Sequence, residues 1–156
     1  MSVRLEHRIP PPVVGAVVAA GMWALASKVG LLPLPDFGFK GALTGLLVAV
    51  GLAFDLAGLR AFLARRTTVN PLRPERASSL VTDGVYRITR NPMYIGMVFL
   101  LLAWGLYLAD ASALVLGPVG YVLYLNRFQI GPEERVLLGL FGDEYRAYMA
   151  RVRRWL

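Results

Sequence analysis

The sequence predicts an all-α, polytopic membrane protein with about four transmembrane helices and a C-terminal amphipathic cytosolic helix. The first observation is composition: 56% of the 156 residues are hydrophobic, 17% are charged, and the mean hydropathy is +0.54. Soluble domains carry about 45–50% apolar and about 25% charged residues. So short a chain cannot bury that excess in its own core, which makes a bilayer the natural second solvent. The second observation is four long apolar segments, and the third is the placement of arginine between them.

The first predicted span covers residues 13–32 and follows Pro10-Pro11-Pro12. A basic tip followed by an apolar run is also typical of a signal peptide. This run is about twenty residues long, which exceeds a typical signal core and matches the length needed to cross about 30 Å of hydrocarbon. Lys28 lies near its far end, where its side chain can reach the interface.

The second predicted span covers residues 41–63, after a short turn at 33–40, and contains Asp55 and Arg60. An ionised carboxylate inside a span is costly and usually faces a partner or water. Arg60 is five residues further on, about 140° around a helix, so the two side chains do not share a face. Asp55 therefore has two interpretations, an interhelical hydrogen bond or a place in a functional pocket.

The third and fourth predicted spans, residues 92–108 and 112–128, form a helical hairpin. They follow a polar connection at 67–91 and are joined by Ala109-Asp110-Ala111, in which Asp110 is placed to cap the next helix. Gly117-Pro118 is expected to kink or loosen the fourth span.

The last predicted element is a cytosolic helical segment over residues 132–152. Pro132 suits the first helical position, and Glu133 and Glu134 then lie in the first turn. Gly142-Asp143 is expected to break the helix. Apolar residues recur beyond the break at helical spacing, opposite arginines, which predicts a helix lying against the membrane or the protein's inner face: Tyr145, Tyr148, Met149 and Val152.

The distribution of arginine predicts the topology. The chain has fifteen arginines and two lysines, and fourteen of the arginines lie in the N-terminal tail, the 64–91 connection and the segment after Asn126. The turns at 33–40 and 109–111 contain none. The positive-inside rule then puts both termini in the cytoplasm, which agrees with an even number of spans. We expect a single domain, residues 1–156, in a bacterial inner membrane.

Composition also excludes several classes of function. The net charge of +7 lies beside apolar segments, which indicates anionic lipid headgroups and topology rather than nucleic acid. The chain has no cysteine and one histidine, His7, which excludes disulfides, thiolate chemistry and haem held by two histidines of one chain, and we expect no metal site. The oligomeric state is left open.

Two stretches could form a ligand site. Glu133 and Glu134 either complement a helix dipole or meet a cationic ligand. Residues 82–96 contain Arg90-Asn91-Pro92-Met93-Tyr94, which could simply mark the start of a span with its aromatic anchor. A tight 109–111 turn would return the Glu133-Glu134 pair to the same membrane face as this stretch.

Taken in order, these motifs resemble the isoprenylcysteine carboxyl methyltransferase and phospholipid methyltransferase superfamily of integral membrane enzymes. The resemblance covers residues 80–155: Gly-Val-Tyr, Arg-Asn-Pro-Met-Tyr, a hairpin, Glu-Glu, and Phe-Gly-Asp-Glu-Tyr-Arg-Ala-Tyr. It implies S-adenosyl-L-methionine as methyl donor, bound on the cytosolic side by the loop before the third span and the segment after the fourth. The implied cofactor-binding residues are Gly84, Tyr86, Arg90, Asn91, Pro92, Met93, Tyr94, Gly96, Glu133 and Glu134.

One position departs from the family pattern. The family's first motif usually reads Arg-His-Pro-x-Tyr; Arg90, Pro92 and Tyr94 match it, whereas Asn91 replaces the histidine. An asparagine keeps hydrogen-bonding ability without a titratable ring, so a proton-accepting role for that histidine is not carried over. Phe141-Gly142, Glu144-Tyr145 and Tyr148 match the C-terminal signature, which we interpret as mainly structural.

The predicted function is S-adenosylmethionine-dependent methyl transfer to a lipidic or small hydrophobic acceptor that enters from the bilayer. The candidates for a catalytic role are Asp55, Glu134 and Arg127, of which Arg127 could orient an acceptor carboxylate or phosphate or could be an ordinary positive-inside anchor. Two alternatives stay open: an NADPH-dependent membrane reductase of the sterol-reductase type, which shares an Arg-x-Pro-x-Tyr region but is generally longer, and a non-catalytic membrane protein.

Overall fold

A computed structural model describes residues 9–65 and 79–156 of the chain. Within these ranges the protein is all-helical, as the composition predicts, and contains no β-strand. The five α-helices are α1 (Pro11–Lys28), α2 (Lys40–Arg65), α3 (Pro92–Leu108), α4 (Ala111–Leu125) and α5 (Gly131–Arg151).

Two shorter helical turns connect these helices. A 3₁₀ turn, Gly84–Arg87, precedes α3, and a π-helical turn, Asn126–Ile130, joins α4 to α5. Helix α3 has the bounds predicted for the third span, whereas α1 ends at Lys28 rather than residue 32. Part of the predicted 67–91 connection lies outside the described residues.

The surface of the helices identifies a membrane protein. In the described part of the chain, α1 and α2 are long and apolar enough to cross a bilayer, and α3 is a shorter apolar helix. Helix α2 exposes large apolar side chains along its length, with Leu46, Leu56 and Leu63 each about 60% exposed (59%, 59% and 63%). A soluble protein rarely leaves so extended an apolar face in water, whereas hydrocarbon solvates it without cost.

Helix α3 is the centre of the bundle and packs against α1, α2 and α4. The indole Nε1 of Trp104 on α3 donates a hydrogen bond to the Ala19 carbonyl of α1 at 3.0 Å. Helices α1 and α4 also contact one another. The core they share contains Val14, Met22, Tyr94, Leu101, Ala113, Tyr121, Leu125 and Ile130.

Two glycines allow α2 and α3 to cross at close range. A Cβ atom on Gly51 would lie 2.9 Å from the carbonyl oxygen of Gly96, which no real side chain tolerates. Phe54 and Phe99 stack beside this crossing with ring centroids 6.0 Å apart. Small residues at a helix crossing let the backbones approach, which is the usual basis of tight packing in a membrane.

The two short turns predicted on the outer side of the membrane lie next to each other. Leu34 N–H donates to the Ala109 carbonyl, and Ala111 N–H donates to the Leu32 carbonyl, both at 2.7 Å. The predicted cap is confirmed: the Asp110 carboxylate accepts from the Ala113 N–H at 2.8 Å and from the Ser112 hydroxyl. These hydrogen bonds lower the pKa of Asp110 below its usual value.

At the opposite end, α4 continues into α5 without a loop. The sequence predicts a fourth span that ends at residue 128 and a new helix that begins at Pro132, and the π-helical turn joins the two. Because a proline has no N–H to donate, a wider turn before Pro132 lets the helical path continue. Gly142, with φ 50° and ψ −119°, bends α5 where the sequence predicts a break.

A second apolar cluster forms beyond the bend and covers the ends of the helices. Tyr145 and Tyr148 pack with Tyr86 of the 3₁₀ turn and with Val81 and Val152. The ring of Phe62 on α2 contacts Tyr86 edge-on, with centroids 5.5 Å apart. The second half of α5 therefore packs against the 3₁₀ turn and the end of α2.

Candidate functional site

A cavity of about 380 Å³ lies between the two clusters, where α2, α3, α5 and the segment 79–91 meet. Its volume falls within the roughly 300–1,000 Å³ of small-molecule sites. One end is polar and aromatic, with Ser79, Arg90 and Glu133. The other end is largely apolar and extends between the spanning helices, with Leu56, Met93 and Met97 beside Asp55.

Glu133 faces the cavity from the first turn of α5. The Tyr94 hydroxyl on α3 donates to its Oε2 at 3.1 Å, and the Gln129 side chain bonds to the same hydroxyl. Burial raises the pKa of Glu133 from 4.5 to about 7, since the single Tyr94 bond only partly offsets desolvation and the neighbouring Glu134 charge adds to the increase. A cation in the cavity would favour the ionised carboxylate.

Glu134 points away from the cavity into an ion-pair cluster. Its Oε1 accepts from Arg90 Nη2 at 2.8 Å, and its Oε2 accepts from Arg154 Nη2 at 2.5 Å. Arg154 Nε also donates to Oε1 at 3.1 Å, which makes this pair bidentate. Only 11% of the Arg90 side chain and 13% of the Glu134 side chain are exposed, so this cluster fixes the Arg90 guanidinium.

The C-terminal residues close over the segment before α3. The Arg154 carbonyl accepts from Asn91 Nδ2 at 2.9 Å and from the Thr89 hydroxyl at 3.2 Å. Arg90 N–H donates to the Arg153 carbonyl at 3.0 Å. Trp155 Nε1 donates to Asn126 Oδ1 at 3.2 Å, which ties the terminus to the π-helical turn. Asn91, in the position of the family's histidine, thus holds the chain end and also lines the cavity.

Aromatic rings form part of the cavity wall. Tyr86, Tyr145 and Tyr148 line the cavity, and the Tyr148 hydroxyl donates to the Tyr86 carbonyl at 2.7 Å. Burial raises the pKa of all three phenols well above the usual value, so they are neutral donors at physiological pH. Rings of this kind offer faces for a flat, cationic or heteroaromatic ligand.

In the described part of the chain, two polar side-chain atoms at the cavity are buried without a hydrogen-bond partner. They are the Ser79 Oγ and the Arg90 Nε, and both residues line the cavity. A buried donor without a partner costs about 1–3 kcal/mol, so such atoms indicate that a ligand supplies the acceptor. An anionic or polar group on the ligand would satisfy both.

The structure separates the predicted site residues into two groups. It brings to the cavity Asp55, Tyr86, Arg90, Asn91, Met93, Tyr94 and Glu133. It does not bring there Gly84, Pro92, Gly96, Arg127 and Glu134.

The residues outside the cavity have structural surroundings. Gly84 adopts a left-handed conformation, φ 57°, at the start of the 3₁₀ turn, and Pro92 is buried at the first turn of α3. Gly96 lies under the Asp55 carboxylate at the α2–α3 crossing, where a Cβ would clash with that carboxylate. Arg127 is exposed, with its guanidinium 5.5 Å from the Phe128 ring centre.

Sequence reasoning missed several residues of the site. Ser79 and Tyr121 line the cavity, and Tyr145 and Tyr148, interpreted as structural, line it as well. The i, i+3 spacing of the two tyrosines was visible, but a buried helix face and a binding wall have the same spacing. Arg154 is one arginine in a basic tail, and only the fold places it on Glu134.

Fold and site together define a helical membrane protein with a ligand cavity that joins a polar end to an apolar one. A profile of the phospholipid methyltransferase family matches residues 39–144. The chain belongs to this family. The resemblance read from the sequence is thereby confirmed.

The chain is also similar to curated proteins, among them methyltransferases. A methanethiol S-methyltransferase of Pseudomonas deceptionensis is 32% identical over 136 residues, which are 84% of this chain and 47% of that protein. A protein-S-isoprenylcysteine O-methyltransferase of Schizosaccharomyces pombe is 35% identical over 74 residues, 47% of this chain and 30% of the relative. An uncharacterised Haemophilus influenzae protein is 48% identical over 64 residues, 41% of this chain and 100% of that protein. The chain spans about half the length of the methanethiol enzyme and about a third of the isoprenylcysteine enzyme.

Proposed function

We propose that this protein is an S-adenosylmethionine-dependent methyltransferase that acts on a hydrophobic acceptor at the cytosolic face of a membrane. Its family and the methyltransferase activities named for its relatives support the reaction class. The observation that carries the proposal is the continuity of the cavity: Glu133 and Arg90 lie at one end, and Asp55 and Met97 lie between the spanning helices at the other.

The polar end fits S-adenosylmethionine. This molecule supplies a methyl group on a positively charged sulfur, and it also carries an ammonium, a carboxylate and an adenine. Glu133 would neutralise the cationic part, and the unpartnered Arg90 Nε and Ser79 Oγ would donate to the carboxylate. The Tyr86, Tyr145 and Tyr148 rings would pack against the flat base.

The role of the protein in the reaction is alignment. Methyl transfer is an in-line displacement, so holding the two reactants in one geometry supplies much of the acceleration. Tyr94 orients the Glu133 carboxylate, and Glu134 with Arg154 holds Arg90. The buried rings of Tyr86, Tyr145 and Tyr148 line the same end.

The membrane arrangement follows as part of the proposal. Helices α1 to α4 are four spans, both termini and the 64–91 connection are cytoplasmic, and residues 1–156 act as one domain in a bacterial inner membrane. The paired outer turns support this arrangement, since they bring the α1–α2 and α3–α4 connections to one end of the bundle. The acceptor enters from the bilayer along the exposed apolar side of α2.

The direct test is ligand binding by the purified full-length protein, followed by product analysis. Titration calorimetry should detect S-adenosylmethionine binding and no comparable NADPH binding. A lipid extract incubated with isotopically labelled S-adenosylmethionine should yield a labelled hydrophobic product by mass spectrometry. Tight NADPH binding without any response to S-adenosylmethionine would favour a reductase, and binding of neither would favour a non-catalytic role.

Variants test the position of the cofactor. Glu133→Ala and Tyr94→Ala should each weaken S-adenosylmethionine binding about tenfold or more, because each removes part of the buried Tyr94–Glu133 unit. Glu134→Ala should weaken it through Arg90. Glu144→Ala, which removes an exposed carboxylate from the same helix, is the matched control. Unchanged affinity in all three site variants would place the cofactor elsewhere.

A further inference from the structure

Asp55 lines the apolar end of the cavity without a partner among the described residues. In the described ranges, its carboxylate forms no ion pair and no hydrogen bond with the protein. It lies against Gly96 of α3, one helical turn or about 6 Å deeper than the first residue of that helix. A charged or polar group at this depth is costly unless something pairs with it, which makes it a functional-site residue by default.

The crossing of α2 and α3 leaves space for the Asp55 carboxylate. A Cβ atom on Gly96 would clash with Asp55 Oδ1, so the glycine leaves the room that the carboxylate occupies. Leu56, Met93 and Met97 line the same cavity, and Tyr121, which also lines it, lies within electrostatic reach of Asp55. The Tyr121 hydroxyl already donates to the Pro11 carbonyl at 3.4 Å, which leaves Asp55 as the open acceptor.

We propose that Asp55 binds the reacting group of the acceptor and takes its proton, so that the acceptor is an apolar compound with a proton-bearing nucleophile, a thiol, hydroxyl or amine, and not a carboxylate. This inference rests on the proposed methyltransferase function and specifies the substrate class of the same cavity. It makes Asp55 a catalytic residue, in contact with the reacting atoms.

Methyl transfer with Asp55 as the base requires only the acceptor, S-adenosylmethionine and water. A lone pair on the acceptor atom forms the new bond to the methyl carbon, while the bond from that carbon to the sulfonium sulfur breaks and leaves its electron pair on sulfur. The proton of the acceptor group passes to the Asp55 carboxylate and leaves to water between turnovers. The cation is thereby converted to a neutral thioether, and no oxidant or metal is needed.

Charge argues against a carboxylate acceptor. An acceptor carboxylate beside Asp55 would put two negative charges in an apolar space, which is strongly unfavourable. Among the described residues that line the cavity, the cationic side chain is Arg90, and it lies at the polar end, where Glu134 and the Met149 carbonyl hold it. Arg127 is exposed and does not line the cavity, so it would not neutralise such an acceptor there.

The experiment uses four probes with the same apolar chain: octanethiol, octanol, octylamine and octanoate. Purified full-length protein in detergent is incubated with labelled S-adenosylmethionine and each probe, and the methylated products are quantified. We expect turnover of at least one of the three proton-bearing probes and none of octanoate. Asp55→Asn, which keeps the side-chain shape over Gly96, should lower that turnover at least about 100-fold, the usual contribution of a general base.

Two controls separate this inference from folding and from the proposed function. Asp55→Asn should retain wild-type S-adenosylmethionine affinity by calorimetry, which shows that the polar end is intact. Asp36→Asn removes a carboxylate from the exposed turn before α2, where it pairs with Lys40 at 3.3 Å, and should leave turnover unchanged.

Three results would contradict a role for Asp55 as the base. Octanoate methylated as fast as the other probes, no methylation of any proton-bearing probe, or wild-type turnover by Asp55→Asn would overturn the inference. If the wild-type protein binds no S-adenosylmethionine at all, the proposed function itself fails, which is a distinguishable result.

Discussion

Glu133 and Glu134 are neighbours in the chain, yet the structure gives them different surroundings. Glu133 faces the cavity with one hydrogen bond from Tyr94, whereas Glu134 is held by Arg90 and Arg154. The first carboxylate is therefore available to a cation, and the second positions an arginine. The sequence offered only two interpretations for both residues together, a favourable interaction with the helix dipole or binding of a cationic ligand. The structure shows that each residue has its own role.

In the proposed function, the raised pKa of Glu133, about 7, would make cofactor binding depend on pH. Below pH 7 the carboxyl is mostly protonated and does not neutralise a cation; above pH 7 it is ionised. We expect S-adenosylmethionine affinity to rise about tenfold from pH 6 to pH 8, as the ionised fraction does. Calorimetry at pH 6, 7 and 8 measures this.

Glu133→Gln is the control for this pH dependence, since the ligand's own titration affects the variant and the wild type equally. Its affinity should be weak and should lack the tenfold rise. Folding stability has the opposite pH dependence: a carboxyl whose pKa is raised on folding loses stabilisation as the pH rises from 4.5 through 7. The ligand-free Glu133→Gln variant should therefore melt above the wild type at pH 8. Parallel pH profiles of the two proteins would contradict the assignment.

Arg154→Ala tests the ion-pair cluster. It removes both bonds from Arg154 to Glu134 and leaves Arg90 as the remaining cation on that carboxylate. Because 37% of Arg154 is exposed, we expect a modest stability loss of about 1 kcal/mol and a several-fold weaker cofactor affinity. Thermal unfolding and calorimetry measure the two effects.

Arg151→Ala is the matched control, because Arg151 is exposed and its Nε donates only to the Ala147 carbonyl one turn earlier. It should change neither quantity. Equal effects of the two arginine variants would indicate a general charge effect rather than the Glu134 cluster.

At the scale of the elements, the α2–α3 crossing positions the site. Gly51 and Gly96 bring the two backbones together, and the same close approach puts Asp55 of α2 over the first turns of α3. Tyr94 and Met97, from those turns, face the cavity. The bend of α5 at Gly142 has a matching effect, since it returns Tyr145 and Tyr148 to the cavity wall.

Gly51→Ala should therefore destabilise the bundle. Its Cβ would lie 2.9 Å from the Gly96 carbonyl and 3.1 Å from the Leu100 side chain, so the helices must move apart. Overpacking of this kind costs about 1–3 kcal/mol. Thermal unfolding in detergent should show a lower midpoint.

The same helix provides the control. A Cβ on Gly45 meets nothing within 4 Å, so Gly45→Ala should be neutral or slightly stabilising, as alanine has the higher helix propensity. If both substitutions had the same effect on the midpoint, the close crossing would not be a determinant of stability.

At the scale of the whole molecule, the cavity and the outer turns lie at opposite ends of the bundle. The hydrogen bonds between the turns, Leu34 to Ala109 and Ala111 to Leu32, join the α1–α2 and α3–α4 connections at one end. The ion-pair cluster and the C-terminal residues close the other end. In the proposed topology the cavity end faces the cytoplasm, where S-adenosylmethionine would be available.

Cysteine labelling tests this orientation. The chain has no cysteine, so a single introduced thiol is observed without background. In spheroplasts, a membrane-impermeant maleimide should label Gly38→Cys, in the exposed turn before α2, and should label Arg151→Cys only after permeabilisation. Labelling of Arg151→Cys alone would invert the topology.

Much of this protein could be predicted from local sequence. Composition and apolar run length predicted the all-helical membrane class, and the Asp110 cap and the Gly142 bend followed from residue chemistry that acts within a few positions. The ordered motifs indicated the family, which the match over residues 39–144 confirms.

Only the tertiary structure decided which of the predicted residues share a cavity. Gly96 and Glu134 were expected at the cofactor; the fold places Gly96 under Asp55 and Glu134 between two arginines, outside the residues that line the cavity. The physical reason is distance along the chain: Glu134 meets Arg90 across 44 positions, and Asn91 meets the Arg154 carbonyl across 63. Local periodicity specifies a helix and its faces, whereas contacts of such range depend on how the helices cross and where the chain end returns.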